Sequence, residues 1–192
     1  IRALSQLDIP KDLKQIQKLT GCVAALSRFI SRLGEKALPL YRLLRRTEHF
    51  EWTDAATAGL EEIKAILATN PVLAAPNLGE PMLLYIAATH QVVSAVLVVE
   101  RETEGHKFPL QKPVYYVSTV LTPCKSRYPH YQKIAYAVFM ASRKLRHYFQ
   151  ECSITVASEV PLNDIINNRD ATGRIAKWAI ELLPFDITYK PR

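Results

Sequence analysis

Glycine is scarce in this 192-residue chain, which contains only six glycine residues. They occupy positions 21, 34, 59, 79, 105 and 173, and no two of them lie close together. The glycine-rich loops that hold nucleotide phosphates, GxGxxG and GxxxxGK, cannot be written from these positions. The sequence therefore argues against a nucleotide cofactor of the common kinds.

Cysteine is also rare, and the three cysteines, Cys22, Cys124 and Cys152, form no CxxC pair. That spacing excludes a zinc ribbon and a thioredoxin-type redox pair, because both need two closely spaced cysteines. An odd number of scattered cysteines suits a reducing compartment, where a buried cysteine acts as a small apolar side chain. We therefore expect an intracellular protein that is not secreted.

Long apolar runs are absent as well. The stretch 135–141 is among the longest, and it is far below the roughly 20 residues that a helix needs to span a bilayer. We find no signal-peptide pattern, and the first residue is Ile rather than Met. We therefore expect a soluble piece of a longer protein, with no membrane as a partner.

Apolar side chains and positive charge are what the chain does contain. Hydrophobic residues make up 48% of it, enough for the core of one full domain, and the net charge is +7. Residues 1–50 hold 10 Lys and Arg against 4 Asp and Glu, residues 51–100 hold 1 against 6, and residues 101–150 hold 9 against 2. Two basic blocks separated by an acidic one suggest an anionic partner, usually nucleic acid, with a solvated basic surface as the alternative.

Hydrophobic periodicity divides the chain into a helical part and a part that mixes strands with helices. Apolar spacings of three and four predict helices within 11–46, and Thr53 or Asp54 is a good N-cap for a helix that ends at Asn70-Pro71. After it, the pattern predicts strands at 82–87, 92–100, 113–118, 153–157 and 185–189, and helices at 127–149, 161–167 and 172–183. This order, βββαβααβ, is that of the ribonuclease H (RNase H) fold, an α/β fold in which helices flank a five-stranded mixed sheet.

The helix predicted at 127–149 carries a regular apolar seam. Its members recur at steps of three and four residues: Tyr131, Ile134, Val138, Ala141, Leu145 and Tyr148. We expect this seam to pack on the sheet. Tyr115, Tyr128 and Tyr131 are expected in the core, with stacking on nucleic-acid bases as the alternative. Trp52 and Trp178 are expected to anchor the packing.

Several runs of residues form recognisable motifs. They are Phe50-Glu51-Trp52-Thr53, Pro71-Val72-Leu73, Pro81-Met82-Leu83-Leu84-Tyr85, Pro113-Val114-Tyr115-Tyr116-Val117-Ser118, Arg127-Tyr128 and Lys144-Leu145-Arg146-His147-Tyr148. Together they resemble gypsy-type long-terminal-repeat (LTR) retrotransposon polyproteins, at the segment that joins the reverse transcriptase to its RNase H region. The run 168–178 is especially similar to plant members of this group, and the resemblance covers nearly the whole chain.

The resemblance implies three regions in the chain. Residues 1–47, which include Leu19-Thr20-Gly21 and Arg28-Phe29-Ile30, resemble the helical end of a polymerase thumb. Residues 48–80 would form a linker helix and a proline-rich connection. Residues 81–192 would form an RNase H-like domain that is truncated at its C-terminus.

The metal-binding positions of this family can be located by the same resemblance. RNase H cleavage uses two Mg²⁺ ions, which require several converging carboxylates. The family's first Asp falls at Ala87, its Glu at Ile134 and its second Asp at Ser158, and a fourth carboxylate would lie beyond residue 192. Glu159 is one residue from Ser158, but one carboxylate is too few for a two-metal site. We therefore identify no catalytic residue and no metal ligand, and we expect no cofactor.

These substitutions favour a catalytically degenerate RNase H-like connection domain of a retrotransposon reverse transcriptase. It would support the binding of template–primer and link the polymerase to a nuclease elsewhere. The fragment itself would not be an enzyme, although its parent polyprotein resembles an RNA-directed DNA polymerase and ribonuclease H. One alternative is an active, Mg²⁺-dependent RNase H whose metal-binding carboxylates lie at other positions than these three, and another is a structural interaction module without nucleic-acid contact.

The partners implied by the resemblance are an RNA/DNA hybrid or template–primer and the other domains of the same polyprotein: polymerase, active RNase H and integrase. Such a protein would work in a cytoplasmic particle or in the nucleus. The candidates for phosphate contacts are basic side chains: Lys14, Lys18, Arg28, Arg32, Arg143, Lys144, Arg146 and His147. For His147 the alternative is a helix-end residue that is stabilised by the helix dipole.

Overall fold

A five-stranded mixed sheet forms the centre of the protein, as the strand pattern predicts. The computed structural model describes residues 9–44, 50–69, 71–105, 107–168 and 170–192. Its strands are β1 (Met82–Ala88), β2 (Val92–Arg101), β3 (Leu110–Val120), β4 (Ile154–Ser158) and β5 (Ile187–Pro191). The order in the sheet is β3-β2-β1-β4-β5, in which β1–β3 form an antiparallel meander, β4 is parallel to β1, and β5 is parallel to β4. Helices precede both parallel strands, because a parallel crossover needs a long connection.

Helices flank the sheet and also form the N-terminal part of the chain. Before the sheet they are α1 (Leu13–Ala25), a 3₁₀ turn (Ser27–Phe29), α2 (Leu33–Lys36), α3 (Leu38–Leu43) and α4 (Asp54–Ala68). Within the sheet region they are α5 (Pro123–Ser126), α6 (His130–Lys144), α7 (Arg146–Glu151), α8 (Leu162–Ile166) and α9 (Gly173–Leu182). In the part of the chain that the structure describes, no helix is long and apolar enough to cross a membrane.

The helix predicted over 127–149 is in fact interrupted. Helix α6 begins at His130, after Pro129, and ends where Leu145 leaves helical geometry at φ −112° and ψ 30°. The apolar seam from Ile134 to Leu145 is buried against the sheet, as predicted. Tyr131, in contrast, is 42% exposed, because it lies in the first turn and about 60° around the helix from Ile134. The expectation that Tyr131 lies in the core is therefore wrong.

The N-terminal helices have an apolar core of their own. Helices α1 to α4 contribute buried side chains to one cluster, which includes Ile16, Leu40, Leu60 and Ile63. Side-chain caps fix where two of these helices start. The Asp12 carboxylate accepts a hydrogen bond from the backbone amide of Gln15, and the Thr53 hydroxyl accepts one from the backbone amide of Ala56. Trp52 packs against the same cluster and Trp178 lies in the sheet core, as predicted.

The helical part packs on the face of the sheet opposite α6, through Gly34. The Gly34 amide donates to Ser118 Oγ at 2.9 Å, and Ser118 Oγ lies 2.9 Å from Ser94 Oγ. A Cβ atom at Gly34 would lie 2.7 Å from Ser118 Oγ and 2.8 Å from Val92 Cγ1. Only glycine therefore allows α2 to approach the strands this closely.

Some predicted features lie outside the described residues. They are the end of the predicted helical region at 45 and 46, the 47/48 boundary, Asn70 and Arg169. Helix α4, which we assign to the linker, shares its apolar cluster with α1–α3. The division into three regions stays a prediction.

Candidate functional site

Ala87 lies near the end of β1, on the face of the sheet away from α6. Met82, Leu84 and Ile86 are buried under α6, so the alternating residues Tyr85 and Ala87 point to the opposite face. There they line a cavity of about 220 Å³ together with side chains from four other segments: Ser31, Arg32, Ser94, Val96, Tyr116 and Arg192. Ala87, which the resemblance places at the first family metal position, thus offers only an apolar surface beside Arg32 and Arg192.

Ile134, which the resemblance places at the second family metal position, lies on the buried side of α6. It is 1% exposed and belongs to the apolar cluster that includes Leu84, Ile86 and Val156. Ile134 contributes a hydrocarbon surface to the packing of α6 on the sheet.

Ser158, which the resemblance places at the third family metal position, lies at the end of β4. It is 4% exposed, and its Oγ accepts a hydrogen bond from the Val160 amide at 3.1 Å. The adjacent Glu159 is exposed, and its Oε1 lies 2.7 Å from Nε2 of His130, the first residue of α6. Ser158 and Glu159 line a second cavity, of about 390 Å³, together with Tyr189. Burial raises the pKa of Tyr189 to about 12.

These side chains do not suit the two-metal site of RNase H. Alanine and isoleucine offer no ligand atom, and a serine hydroxyl is a weak replacement for the carboxylate that Mg²⁺ prefers. Within the described ranges, no three His, Cys, Asp or Glu side chains come together so that they could hold a metal ion.

Two of the predicted basic residues converge on the edge strand β3. The Arg28 guanidinium lies 5.4 Å from the ring centre of Tyr115 and 5.2 Å from that of Phe29. Lys144 Nζ donates to Thr119 Oγ1 at 3.3 Å. Lys144 is an exposed residue, and desolvation lowers the pKa of its ammonium group. Tyr115 and Thr119 are four residues apart on one strand, or about 13 Å.

Arg143, Arg146 and His147 lie at the junction of α6 and α7. Arg143 and Arg146 line a cavity of about 400 Å³, where Nε of Arg143 is 3.9 Å from Oε2 of Glu181. The His147 ring packs on Tyr148, with ring centres 3.9 Å apart. This group is therefore close to Lys144 along the chain, but its arginines face α9.

The other predicted residues are placed elsewhere. Lys14 and Lys18 are exposed one turn apart on α1, and neither has a carboxylate partner in the ranges that the structure describes. Arg32, with a left-handed φ of 53°, is held by Glu35 at 2.6 Å and reaches the cavity that contains Ala87. The eight predicted residues thus form separate groups rather than one site.

Comparison with known proteins identifies the family. Residues 52–156 match the model of the RNase H-like domain found in reverse transcriptase. The chain belongs to this family. It is also 27% identical, over 95% of its length, to the Tf2-3 and Tf2-4 transposon polyproteins of Schizosaccharomyces pombe, and it spans 14% of the length of these curated relatives. The predicted relationship to retrotransposon reverse transcriptases is confirmed, and the special similarity to plant members stays a prediction.

Solved structures support the same fold for this RNase H-like domain. All of the chain superposes on 26% of a foamy viral protease-reverse transcriptase in complex with an RNA/DNA hybrid, with a TM-score of 0.76 and 23% identity. It also superposes on 34% of a foamy viral protease-reverse transcriptase in complex with double-stranded DNA, with a TM-score of 0.77 and 22% identity. At this level of identity the likeness shows the fold alone, and it confirms the predicted mixed α/β architecture.

The RNase H-like domain also contains contacts between basic and aromatic side chains that the sequence did not predict. Lys125 Nζ donates to the Tyr136 hydroxyl at 2.8 Å and lies over that ring, and Arg174 lies 4.9 Å from the ring centre of Tyr128. Tyr128 and Tyr136 pack in turn against Trp178. These contacts join α5, α6 and α9 to the turn before α6, so no local spacing could have revealed them.

Proposed function

We propose that this RNase H-like domain is a catalytically degenerate connection domain of a retrotransposon reverse transcriptase. It supports the binding of template–primer nucleic acid and links the polymerase to a nuclease located elsewhere in the polyprotein. One observation carries the proposal: Ala87, Ile134 and Ser158 stand at the three family metal positions within this chain.

The packing of Ile134 supports the loss of nuclease activity. A metal ligand needs an accessible carboxylate, whereas Ile134 is fully enclosed by the apolar side chains of the sheet and of α6. Restoring a charge there would bury it without a partner, at a cost of several kcal/mol. Glu159 remains near the third position, but it faces His130 and provides a single carboxylate.

Nucleic-acid binding is assigned to the basic residues along β3. Arg28 and Lys144 place positive charges next to Tyr115 and Thr119, which lie four residues apart on this edge strand. Arg143 and Arg146, at the end of α6, face α9 and form a separate basic group. Contacts of this kind bind phosphates without reading sequence, which is what a reverse transcriptase requires. The foamy viral neighbours, in complex with an RNA/DNA hybrid and with double-stranded DNA, support nucleic acid as the partner.

A cleavage assay tests the loss of catalysis. The 192-residue chain is incubated with an RNA/DNA hybrid carrying 5′-labelled RNA, in Mg²⁺ and separately in Mn²⁺, and the RNA is resolved on a denaturing gel. We expect no cleavage by the chain or by its Glu159→Gln variant, under conditions in which an authentic RNase H degrades the substrate. Cleavage that the Glu159→Gln substitution abolishes would overturn the proposal in favour of an active nuclease.

A binding assay tests the role of the β3 edge. Fluorescence anisotropy with a blunt RNA/DNA hybrid is measured at salt concentrations from about 50 to 200 mM. The Arg28→Gln/Lys144→Gln variant should bind more weakly and with a salt slope smaller by about 2. The control, Lys11→Gln/Lys107→Gln, removes two charges elsewhere and should retain the slope of the unmodified chain. Failure of the unmodified chain to bind the hybrid even at low salt would instead support a purely structural module.

A further inference from the structure

The face of the sheet away from α6 carries a row of side chains that crosses all five strands. Tyr116, Val96 and Tyr85 are register partners on β3, β2 and β1, and the row continues through Ala157 on β4 to Lys190 on β5. Because neighbouring strands are about 4.8 Å apart, the two tyrosines stand about 10 Å apart with Val96 between them. Both tyrosines are half-buried and line the 220 Å³ cavity.

Positive charges surround this row. Arg32 enters the cavity from the start of α2, and the Arg192 guanidinium lies 5.8 Å from the ring centre of Tyr85. Lys190 follows on the same row. Two carboxylates lie beside the row as well. Glu35 pairs with Arg32, and Glu100 accepts a hydrogen bond from Gln111 Nε2, which also donates to the Tyr85 hydroxyl. Ala87 adds a methyl group where the family pattern would place a carboxylate, so the cavity has an apolar floor and a cationic rim.

These features match one kind of ligand. Aromatic rings on a sheet surface stack on unpaired bases, and guanidinium groups bind the phosphates between the bases. A cavity of about 220 Å³ is smaller than the roughly 300–1,000 Å³ of drug-sized ligand sites, so it suits a single ring. A duplex keeps its bases stacked and paired, and cannot present one to this face without unpairing.

We propose that the sheet face formed by Tyr85, Ala87, Val96 and Tyr116, with Arg32 and Arg192 at its rim, binds an unpaired nucleotide of a single-stranded segment. The base stacks on the tyrosine rings, and the phosphate pairs with the guanidinium groups. This inference rests on the proposed function, in that it takes nucleic acid as the partner, and it deepens that function by naming a single-stranded segment and a second surface.

Oligonucleotide binding tests the proposal. The 192-residue chain and its variants are titrated into a fluorescein-labelled ten-nucleotide oligo(dT), and the anisotropy is followed. Tyr85→Leu and Tyr116→Leu should each weaken binding by about 5- to 150-fold, the range measured for loss of one stacked base. The matched controls Tyr85→Phe and Tyr116→Phe keep the rings and should stay within about twofold of the unmodified chain.

A second measurement locates the contact directly. An oligonucleotide carrying 5-bromodeoxyuridine is photo-crosslinked to the unmodified chain, and the attached peptides are identified by mass spectrometry. We expect crosslinks in the peptides that contain Tyr85 or Tyr116. Crosslinks found only in other peptides would overturn the proposal.

Two further outcomes would also reject it. One is unchanged oligonucleotide binding by leucine variants that keep the circular dichroism spectrum and thermal unfolding of the unmodified chain. The other is that the leucine variants change the sedimentation of the protein but not its binding of the oligonucleotide, which would show that protein, and not nucleic acid, covers this face.

The hybrid assay keeps the two proposals separate. Tyr85→Leu should leave the binding of a blunt RNA/DNA hybrid unchanged, whereas Arg28→Gln/Lys144→Gln should weaken it. Loss of hybrid binding in the charge variant with no effect of Tyr85→Leu on the oligonucleotide would reject the stacking face alone. The reverse pattern would reject the β3 edge alone.

Discussion

The face of the sheet under α6 and the opposite face are built from alternating residues of the same strands, yet they are packed in different ways. Under α6, Leu84, Ile86 and Ile134 form a closed apolar layer. On the opposite face, Gly34 brings α2 onto β2 and β3 through a serine pair, and a cavity remains beside Ala87. The two positions that the resemblance assigns to metal ligands therefore differ in their packing: Ile134 is buried in the core, whereas Ala87 borders an open cavity.

The largest effect is expected when the family residues are put back on each face. Ile134→Glu should destabilise the protein by about 3–5 kcal/mol, because it removes a core side chain and buries an unpaired charge. Ala87→Asp should change the stability by less than about 1 kcal/mol, since the carboxylate would face Arg32 and Arg192 in the cavity.

Urea unfolding at pH 7 measures both variants. If Ile134→Glu prevents folding, Ile134→Val should still fold and should lose about 0.5–1.5 kcal/mol. Equal losses for Ile134→Glu and Ala87→Asp would show that the two faces are packed alike, contrary to the contrast drawn above.

An intermediate effect is expected at the contact of α2 with the open face. Gly34→Ala should destabilise by about 1–2 kcal/mol net, because its Cβ would overlap Ser118 Oγ and Val92 Cγ1. Gly21→Ala is the matched control: Gly21 lies in α1 with no heavy atom within 4 Å of a built Cβ, so alanine should stabilise by about 0.5–1 kcal/mol. Thermal unfolding measures the stability of both variants. An increase in stability for Gly34→Ala similar to that for Gly21→Ala would refute the close contact.

The smallest effect is expected where neither face is involved. The Arg101 guanidinium and the backbone amide of Asn77 donate hydrogen bonds to the Glu80 carboxylate just before β1. These bonds lower the pKa of Glu80 to about 2. Because the unfolded pKa is about 4.3, this stabilisation is present above about pH 5 and is lost as the pH falls towards 2. The Glu80→Gln variant should therefore be less stable at pH 7, and its free energy of unfolding should fall less steeply between about pH 5 and pH 2. Urea unfolding between pH 2 and 7 checks this. A free energy of unfolding that falls as steeply with pH in the variant as in the unmodified chain would contradict it.

Prediction from the sequence succeeded where periodicity and hydrophobic patterning dominate. The order of strands and helices along the chain and the buried seam from Ile134 to Leu145 follow from period-two and period-3.6 patterns, which report directly on burial. The mixed sheet was expected because this order of elements is that of the RNase H fold. The Thr53 cap follows from local hydrogen bonding. The break at Leu145 was missed because the apolar spacing of three and four continues through it, although the backbone does not.

The candidate site was less predictable. Arg28, Arg32 and Lys144 were chosen for their charge, but their surroundings depend on contacts distant in sequence. Arg28 meets Tyr115, Lys144 meets Thr119, and Arg32 is held by Glu35 beside β1. Charge is visible in a sequence, whereas the distance between two charges on different elements is not.

The sequence by itself determined the RNase H-like order of elements, because hydrophobic patterning is a property of residue identity and spacing along the chain. It also predicts, through the resemblance, that Ala87, Ile134 and Ser158 stand at the family's metal positions. Only the tertiary structure decided that Ile134 is sealed under α6, that Gly34 brings the helical part onto the sheet, and that Tyr85 and Tyr116 share a row beside Arg32. The physical reason is that strand register and close packing bring together residues that are far apart in sequence, and no local pattern encodes those pairings.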